Sequence, residues 1–388
     1  MNILFVFNQF PGLGGVETVS DNLISYLGDY FKIFTVSLYS DSSMPLNDKV
    51  EKAFLLPEDD SQKAEFYNSL VKDQEISCVI NQGIYPVLHP VVFNSDRDRS
   101  VKVISVLHGM PGYEKLMFWQ KKSIRRSPRW LNMLRRQWCA KGKYPRYYKF
   151  IRPFAESYRT AAIEGDMVVL LTSGYERQFI REYGLEQYAS KICSIENPLP
   201  SGFSMYGEPD WSEKKDMILF VGRLSIEKRV WIVLDMWRKV GKKVGWTLFV
   251  VGDGYEGKRL RKIARNLQNV SFEGYVSHPE KYYREAKILV LTSEFEGFPM
   301  TLIEAQRFGT VPVSYEVSAG VSAILSDGGG VAVPKDNFDA LCDAVSGLMN
   351  DPARLRQMSE DAFRKSSEYS IDRIGLRWKT LIEETVSR

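Results

Sequence analysis

The sequence is poor in the residues that metal centres and disulfide frameworks need. Its four cysteines (Cys78, Cys139, Cys193, Cys342) are scattered, with no Cys-x-x-Cys pair. That excludes a zinc ribbon and a disulfide scaffold and fits a reduced, cytoplasmic chain. Histidine is scarcer still, at three residues. No apolar run exceeds strand length, so no transmembrane helix is expected. The N-terminus, Met1-Asn2-Ile3-Leu4-Phe5-Val6-Phe7, carries no basic stretch and reads as a first buried strand, not a signal peptide. Acidic residues are missing from one long segment: between Lys115 and Ala155 there is no Asp or Glu, against thirteen Lys or Arg. That segment turns an otherwise acidic chain basic, to a net charge of +4.

The remainder is ordinary for a globular protein. At 388 residues, 44% hydrophobic and 26% charged, the chain is long enough for two domains. Strand-like runs at Ile3–Phe7, Lys32–Leu38, Ser77–Ile80, Val101–Leu107, Met167–Leu171 and Ile192–Ile195 alternate with helical patterns. A second round follows at Met217–Val221, Trp246–Val251, Val270–Phe272, Ile288–Leu291, Val311–Ser314 and Val331–Val333. Apolar strands bounded by turn residues and alternating with helices indicate parallel sheets covered on both faces. The expected domains are 1–198 and 216–370, joined by a linker at 199–215 that follows Asn197-Pro198. A terminal helix, 371–388, has the first domain as a candidate surface for its apolar side. Ligands bind such sheets beyond the strand C-termini, so two facing sheets place a site in the cleft between them.

Four turns at strand ends carry chemistry. In Glu296-Gly297-Phe298-Pro299-Met300-Thr301-Leu302-Ile303-Glu304, two carboxylates stand eight positions apart. Pro299 suits the first position of a helix, where a missing N–H costs nothing. The free amides of that helix start form a site for an anion such as a diphosphate, with Glu296 at its mouth and Glu304 about two turns deeper. Two solvated acids near a helix start are the plain alternative. Gly222-Arg223-Leu224-Ser225-Ile226-Glu227-Lys228 puts two cations on one strand-to-helix turn, a diphosphate clamp unless they are mere surface charge. Gly12-Leu13-Gly14-Gly15-Val16-Glu17 is not a dinucleotide fingerprint, because Glu17 occupies the third glycine's place. Its glycines still permit close approach of backbone to ligand. Leu107-His108-Gly109 ends a buried strand. Asp96-Arg97-Asp98 has the spacing of a metal-binding acid pair but lies in a polar loop, so no catalytic metal is expected.

Together these turns resemble glycosyltransferase family 4, the retaining nucleotide-sugar-dependent transferases of the GT-B fold. The likeness rests on the two glutamates, the following Gly309 and Val311-Pro312-Val313 strand, and the Gly222-Arg223-Leu224…Lys228 run. It implies two Rossmann-like doubly wound domains. Glu296 would contact the donor sugar. The amides of Gly297, Phe298, Pro299-Met300, Thr301 and Leu302 would cradle sugar and diphosphate, and Glu304 would bind the ribose hydroxyls. Arg223 and Lys228 would hold the leaving phosphates. Gly14 and Gly15 would lie over the donor phosphates with Glu17 nearer the acceptor. Gly252 and Gly254 would stand near the base, His108 near the reaction centre, and Asn197 at the hinge. No cofactor or metal is implied beyond the donor, with a UDP-sugar favoured by Phe298-Pro299-Met300.

The basic segment needs its own explanation. It holds nine aromatics, and Ser127-Pro128 reads as a helix start. Trp130, Leu131, Leu134 and Trp138 then share one face, with Arg129, Arg135 and Arg136 elsewhere. Such a helix suits an anionic bilayer, and each cation contributes roughly 1 kcal/mol there. A packed loop and a nucleic-acid surface are the rival readings. The expectation is a metal-independent retaining hexosyltransferase, peripheral on the inner face of the plasma membrane. Its acceptor is a lipid-linked or lipopolysaccharide- or capsule-type glycan, and no nucleic acid is involved. A nucleotide-sugar epimerase of the same fold, or a non-catalytic membrane or nucleic-acid binding module, are the alternatives.

Overall fold

The computed structural model describes residues 1–120, 129–241 and 245–388. The chain forms two units: Met1–Ile195 together with Gly375–Arg388, and Glu196–Ile374. Unit 1 has strands β1 (Asn2–Gln9), β2 (Lys32–Tyr39), β3 (Val50–Leu55), β4 (Ile76–Gln82), β5 (Lys102–Leu107), β6 (Met167–Leu170) and β7 (Ile192–Ser194). Its helices are α1 (Gly15–Leu27), α2 (Asp60–Asp73), α3 (His89–Val92), α4 (Tyr113–Gln120), α5 (Arg129–Ala140), α6 (Pro145–Glu164) and α7 (Ser173–Tyr183). The strands lie in the order β3-β2-β1-β4-β5-β6-β7, and each neighbouring pair is parallel.

Unit 2 repeats the plan with β8 (Lys215–Val221), β9 (Thr247–Val251), β10 (Val270–Gly274), β11 (Ala286–Leu291), β12 (Val311–Glu316) and β13 (Val331–Pro334). Between them run α8 (Val230–Val240), α9 (Gly257–Ala264), α10 (Glu280–Glu285), α11 (Met300–Arg307) and α12 (Ala319–Leu325), then α13 (Phe338–Asn350) and α14 (Pro352–Ser366). The order is β10-β9-β8-β11-β12-β13, again parallel throughout. The last helix, α15, covers Ile371–Ser387.

The central strands are apolar on both faces because helices cover both. Ile3, Leu4, Phe5 and Val6 are fully buried, as are Ile218, Leu219 and Phe220 in the matching strand of unit 2. The edge strand β3 departs from that pattern: Glu51, Lys52 and Ala53 are exposed. A strand with one neighbour needs no continuous apolar run, which is why its sequence signals so weakly.

The stretch 199–215 is not a free linker but part of unit 2. Phe203 is buried and its ring meets Phe308 at 5.1 Å. Lys214 is 7% exposed, and its ammonium donates to Tyr283 O (3.0 Å), Ala286 O (2.8 Å) and Thr310 Oγ1 (2.9 Å). Three donors meet three acceptors, so the buried nitrogen is satisfied, although burial still pushes its pKa down to about 7. The terminal helix belongs mainly to unit 1. A Cβ on Gly375 would lie 2.3 Å from the Tyr26 ring, Lys379 sits over Tyr30 at 5.2 Å, and Arg377 Nη2 donates to Ser194 O at 2.6 Å.

The described parts of the basic segment, 115–120 and 129–155, are mostly helical and partly packed. Phe118 is 4% exposed and gathers Trp119, Tyr144, Tyr147 and Phe150 at ring separations of 5.2–5.8 Å. Arg136 lies over Trp119 at 5.0 Å. These aromatics build a small core within the segment itself. Trp138 and Met133 remain exposed, and Leu134 and Arg135 are half-buried. The expected helix start at Ser127-Pro128 and the side chains of Arg129 and Trp130 lie outside the described residues. Among the described residues, no helix is long and apolar enough to cross a membrane.

Candidate active site

Strand order reverses between β1 and β4 in unit 1, and between β8 and β11 in unit 2. Turns leaving the C-terminal ends of such strands border the crevice where open parallel sheets take ligands. In unit 2 those turns are Gly222–Arg229 and Thr292–Pro299. They are tied together along their backbones: the Glu294 N–H donates to Glu227 O at 2.7 Å, and Thr292 Oγ1 lies 3.1 Å from Arg229 O and 3.3 Å from Lys228 O. Across this join Lys228 Nζ meets Glu296 Oε1 at 2.5 Å, both side chains mostly buried. The lysine thus keeps two N–H donors beyond the one aimed at Glu296. Arg223 is exposed at the start of the same turn.

Pro299 is the residue before α11 rather than its first helical residue, with ψ at 108°. Lacking an N–H it loses nothing there, and no side chain caps the helix. In the first turn the Leu302 N–H already donates to Pro299 O at 3.1 Å; the amides of Met300 and Thr301 precede every carbonyl of the helix that could accept from them, and they carry the positive end of the helix dipole. Phe298 and Leu302 are 6% and 0% exposed, and Phe298 packs on Tyr369 with ring centroids 5.6 Å apart. Their side chains serve the core, and Leu302 is buried throughout. Glu304 lies further along α11 and accepts the Tyr283 hydroxyl on Oε2 at 2.7 Å. Burial raises its pKa to about 7, against the hydrogen bond from Tyr283, which lowers it.

Gly252 and Gly254 have a demonstrable structural duty. Their φ angles are 134° and 157°, and added Cβ atoms would stand 2.0 Å from Gly222 O and 2.5 Å from Leu224 O. Hydrogen bonds from Gly222 N to Val251 O (3.0 Å) and Leu224 N to Asp253 O (2.8 Å) complete the join. The Arg223 turn and the Gly252–Gly254 turn are one interlocked piece of backbone. Tyr255 caps it, donating from its hydroxyl to Glu227 at 3.2 Å and accepting from Ile226 N–H at 3.0 Å.

In unit 1 the loop after β1 carries Gly14 just before α1. A Cβ there would lie 1.9 Å from Glu17 Oε2, so the Glu17 carboxylate folds back over the helix start. Burial raises its pKa. Gly15, by contrast, faces open space. His108 follows β5, and its Nε2 lies 2.5 Å from Gln82 Oε1 at the end of β4. Burial lowers the imidazole's pKa to about 4, so it is neutral near pH 7. With Nε2–H donating to the amide oxygen, Nδ1 is left as an acceptor. Asn197 is 7% exposed in the first residues of unit 2.

The polar loop Asp96-Arg97-Asp98 behaves as a loop. Asp98 Oδ1 accepts from Ser100 N and Oγ at 2.8 and 2.7 Å, and Asp96 from the Ser95 hydroxyl at 3.1 Å, while Arg97 is buried between them. Three residues that contact these candidate side chains or turns, one in unit 1 and two in unit 2, went unread in the sequence. Gln82 and Tyr283 were hidden because a polar residue in a buried strand or short helix has no pattern of its own. Arg229 was hidden because it looks like any other cation beside Lys228.

Residues 207–365 match the family model described as glycosyl transferases group 1. A structure of Anabaena HepE in complex with UDP aligns over 99% of this chain and 100% of that one, with a TM-score of 0.75 at 15% identity. The apo lipopolysaccharide outer core galactosyltransferase WaaB aligns over 99% of each chain, at TM-score 0.70 and 19% identity. The fold is that of the GT-B glycosyltransferases. Among curated proteins, the amylovoran biosynthesis glycosyltransferase AmsD of Erwinia amylovora is 30% identical over 176 residues, 44% of this chain and 49% of that protein. The lipopolysaccharide 1,6-galactosyltransferase of Salmonella typhimurium is 30% identical over 173 residues, 42% of this chain and 46% of that protein. The chain thus spans about half the length of these relatives.

Proposed function

We propose that this GT-B chain is a retaining glycosyltransferase of family 4 that moves a hexosyl unit from a UDP-sugar to a lipid-linked or lipopolysaccharide- or capsule-type glycan. One observation carries the reading: Lys228 and Glu296 meet at 2.5 Å beside Arg223 and an uncapped helix start. That arrangement suits a ligand with a diphosphate next to a hydroxylated ring. Relatives described as polysaccharide and lipopolysaccharide glycosyltransferases and the UDP-bound neighbour favour the same donor and acceptor classes.

In the proposed reaction the bond between the anomeric carbon and the diphosphate oxygen breaks, and charge grows on the departing oxygen. Arg223, Lys228 and the amides before and within the first turn of α11 stabilise it without reorganising, which is where most such catalysis arises. Glu296 orients the sugar and opposes positive charge at the anomeric carbon. The acceptor oxygen bonds on the face the diphosphate leaves, and its proton passes to a phosphate oxygen. The proton path needs neither a metal nor a protein base, and neutral His108 acts by accepting a hydroxyl on Nδ1. Glu304 binds the ribose. The loop of Gly14, Gly15 and Glu17 serves phosphates and acceptor, and Gly252 and Gly254 stand by the base. Arg129, Trp130, Leu134, Arg135, Arg136 and Trp138 would rest on an anionic membrane at the cytoplasmic face. Exposed Trp138 and Met133 are the apolar groups that favour this contact.

The test is a donor screen reading free UDP or GDP, with glycan-bearing vesicles as acceptor. UDP release from one donor is expected, falling by at least 100-fold in Glu296→Gln and Lys228→Ala. Intact turnover in both variants would refute these roles, and conversion of donor without acceptor would point to an epimerase.

A further inference from the structure

The residue after Lys228 is built into the same join, and nothing in its type announces it. Arg229 has φ at +48°, in the left-handed region that costs a residue with a side chain about 1 kcal/mol or more. Its side chain is 12% exposed. Nε donates to Thr292 O at 2.9 Å, Nη2 to Ser293 O at 3.2 Å, and Nη1 meets Asp336 Oδ1 at 2.5 Å. The plane also lies 5.5 Å from the Tyr315 ring centroid. Asp336 is itself left-handed, at φ +63°. Two residues in costly backbone conformations are therefore joined by one ion pair. The arginine's other donors meet the carbonyls of Thr292 and Ser293, the first two residues after β11.

We infer that Arg229 is a positioning residue: it fixes the backbone of residues 292–296 so that Glu296 meets Lys228 and the α11 amides at the geometry the reaction needs. Lys228 points to the far end of the turn and Arg229 to its near end. One left-handed residue sends the two side chains to opposite ends of a five-residue loop. Glycine would adopt the same φ with less strain, so the arginine is explained by its three planar donors rather than by the backbone. Lysine offers no planar fork and cannot reach two carbonyls and a carboxylate in that way.

This inference rests on the proposed donor chemistry, and its test separates the two. Arg229→Gly keeps the backbone angle and removes the clamp. The expected result is a melting temperature close to wild type, a 10- to 100-fold loss in kcat with donor KM changed less than threefold, and faster amide exchange confined to residues 292–298. Guanidinium ion added to Arg229→Gly restores part of the lost turnover, and Arg229→Lys does not. Asp336→Asn falls the same way by a smaller factor. Wild-type turnover together with unchanged exchange in Arg229→Gly would overturn the inference, as would a loss of turnover with global unfolding. If the wild-type protein turns over no donor, the proposed function fails, while the exchange measurement still decides the role of Arg229.

Discussion

Glu304 joins a hydroxyl donor to surroundings that oppose its charge. Its carboxyl ionises near pH 7 instead of the usual 4.5. As the anion it offers Oε1 to a ligand while Tyr283 occupies Oε2, and as the acid it loses part of that acceptor capacity. UDP affinity measured calorimetrically is therefore expected to fall as pH drops from 8 to 6, by up to about tenfold per unit, and to be flat in Glu304→Gln. The stability sign is the opposite one. A carboxyl whose folded pKa is raised holds a proton that the unfolded chain has released, so its contribution to stability falls as pH rises from about 4.5 through 7. Glu304→Gln should be more stable than wild type above pH 7, by about 1–2 kcal/mol after allowing for partial exposure. Denaturant titrations at pH 6 and pH 8 check this: a variant no more stable at pH 8 would mean that the carboxyl is not forced into its charged form at a cost.

Elements obey a different logic from residues, because backbone joins matter more than side chains. The Gly252 turn is expected to tolerate no Cβ: Gly252→Ala would place a methyl on Gly222 O and strain φ, costing about 2–4 kcal/mol. UDP binding should weaken with it, since the Arg223 turn must move. A variant with unchanged melting temperature and unchanged UDP affinity would show the two turns to be independent. Most strands were legible because a strand buried on both faces must be an apolar run, as at Ile3–Phe7 and Ile288–Leu291. Edge strand β3 was not, for it has half the burial to enforce a pattern. The turns that follow β8 and β11 were legible from residue type at strand ends. Illegible was what each side chain does there: the Phe298 ring packs on Tyr369, while Gln82 and Arg229 gain their roles only from neighbours far away in sequence. The stretch 199–215 misled because Pro, Gly and Ser mark a break in regular structure, not a lack of packing.

A helix that follows unit 2 in sequence closes unit 1. Deleting residues 375–388 removes buried Trp378 and Ile382, each contributing about 1.5–3 kcal/mol. Hydrogen exchange should then rise across α1 and β7, which touch Gly375 and Arg377, and stay unchanged across β8–β13. Uniform loss of protection in both units would contradict that division.

That arrangement sets an order on synthesis. The strands of unit 1 leave the ribosome first, but the helix that covers α1 near Tyr26 is made only after unit 2. Unit 2 is continuous in sequence and can finish before it. At bacterial-like elongation rates, residues 196–374 take roughly 10–40 s to appear. For that interval unit 1 waits with its α1 face uncovered while unit 2 is completed.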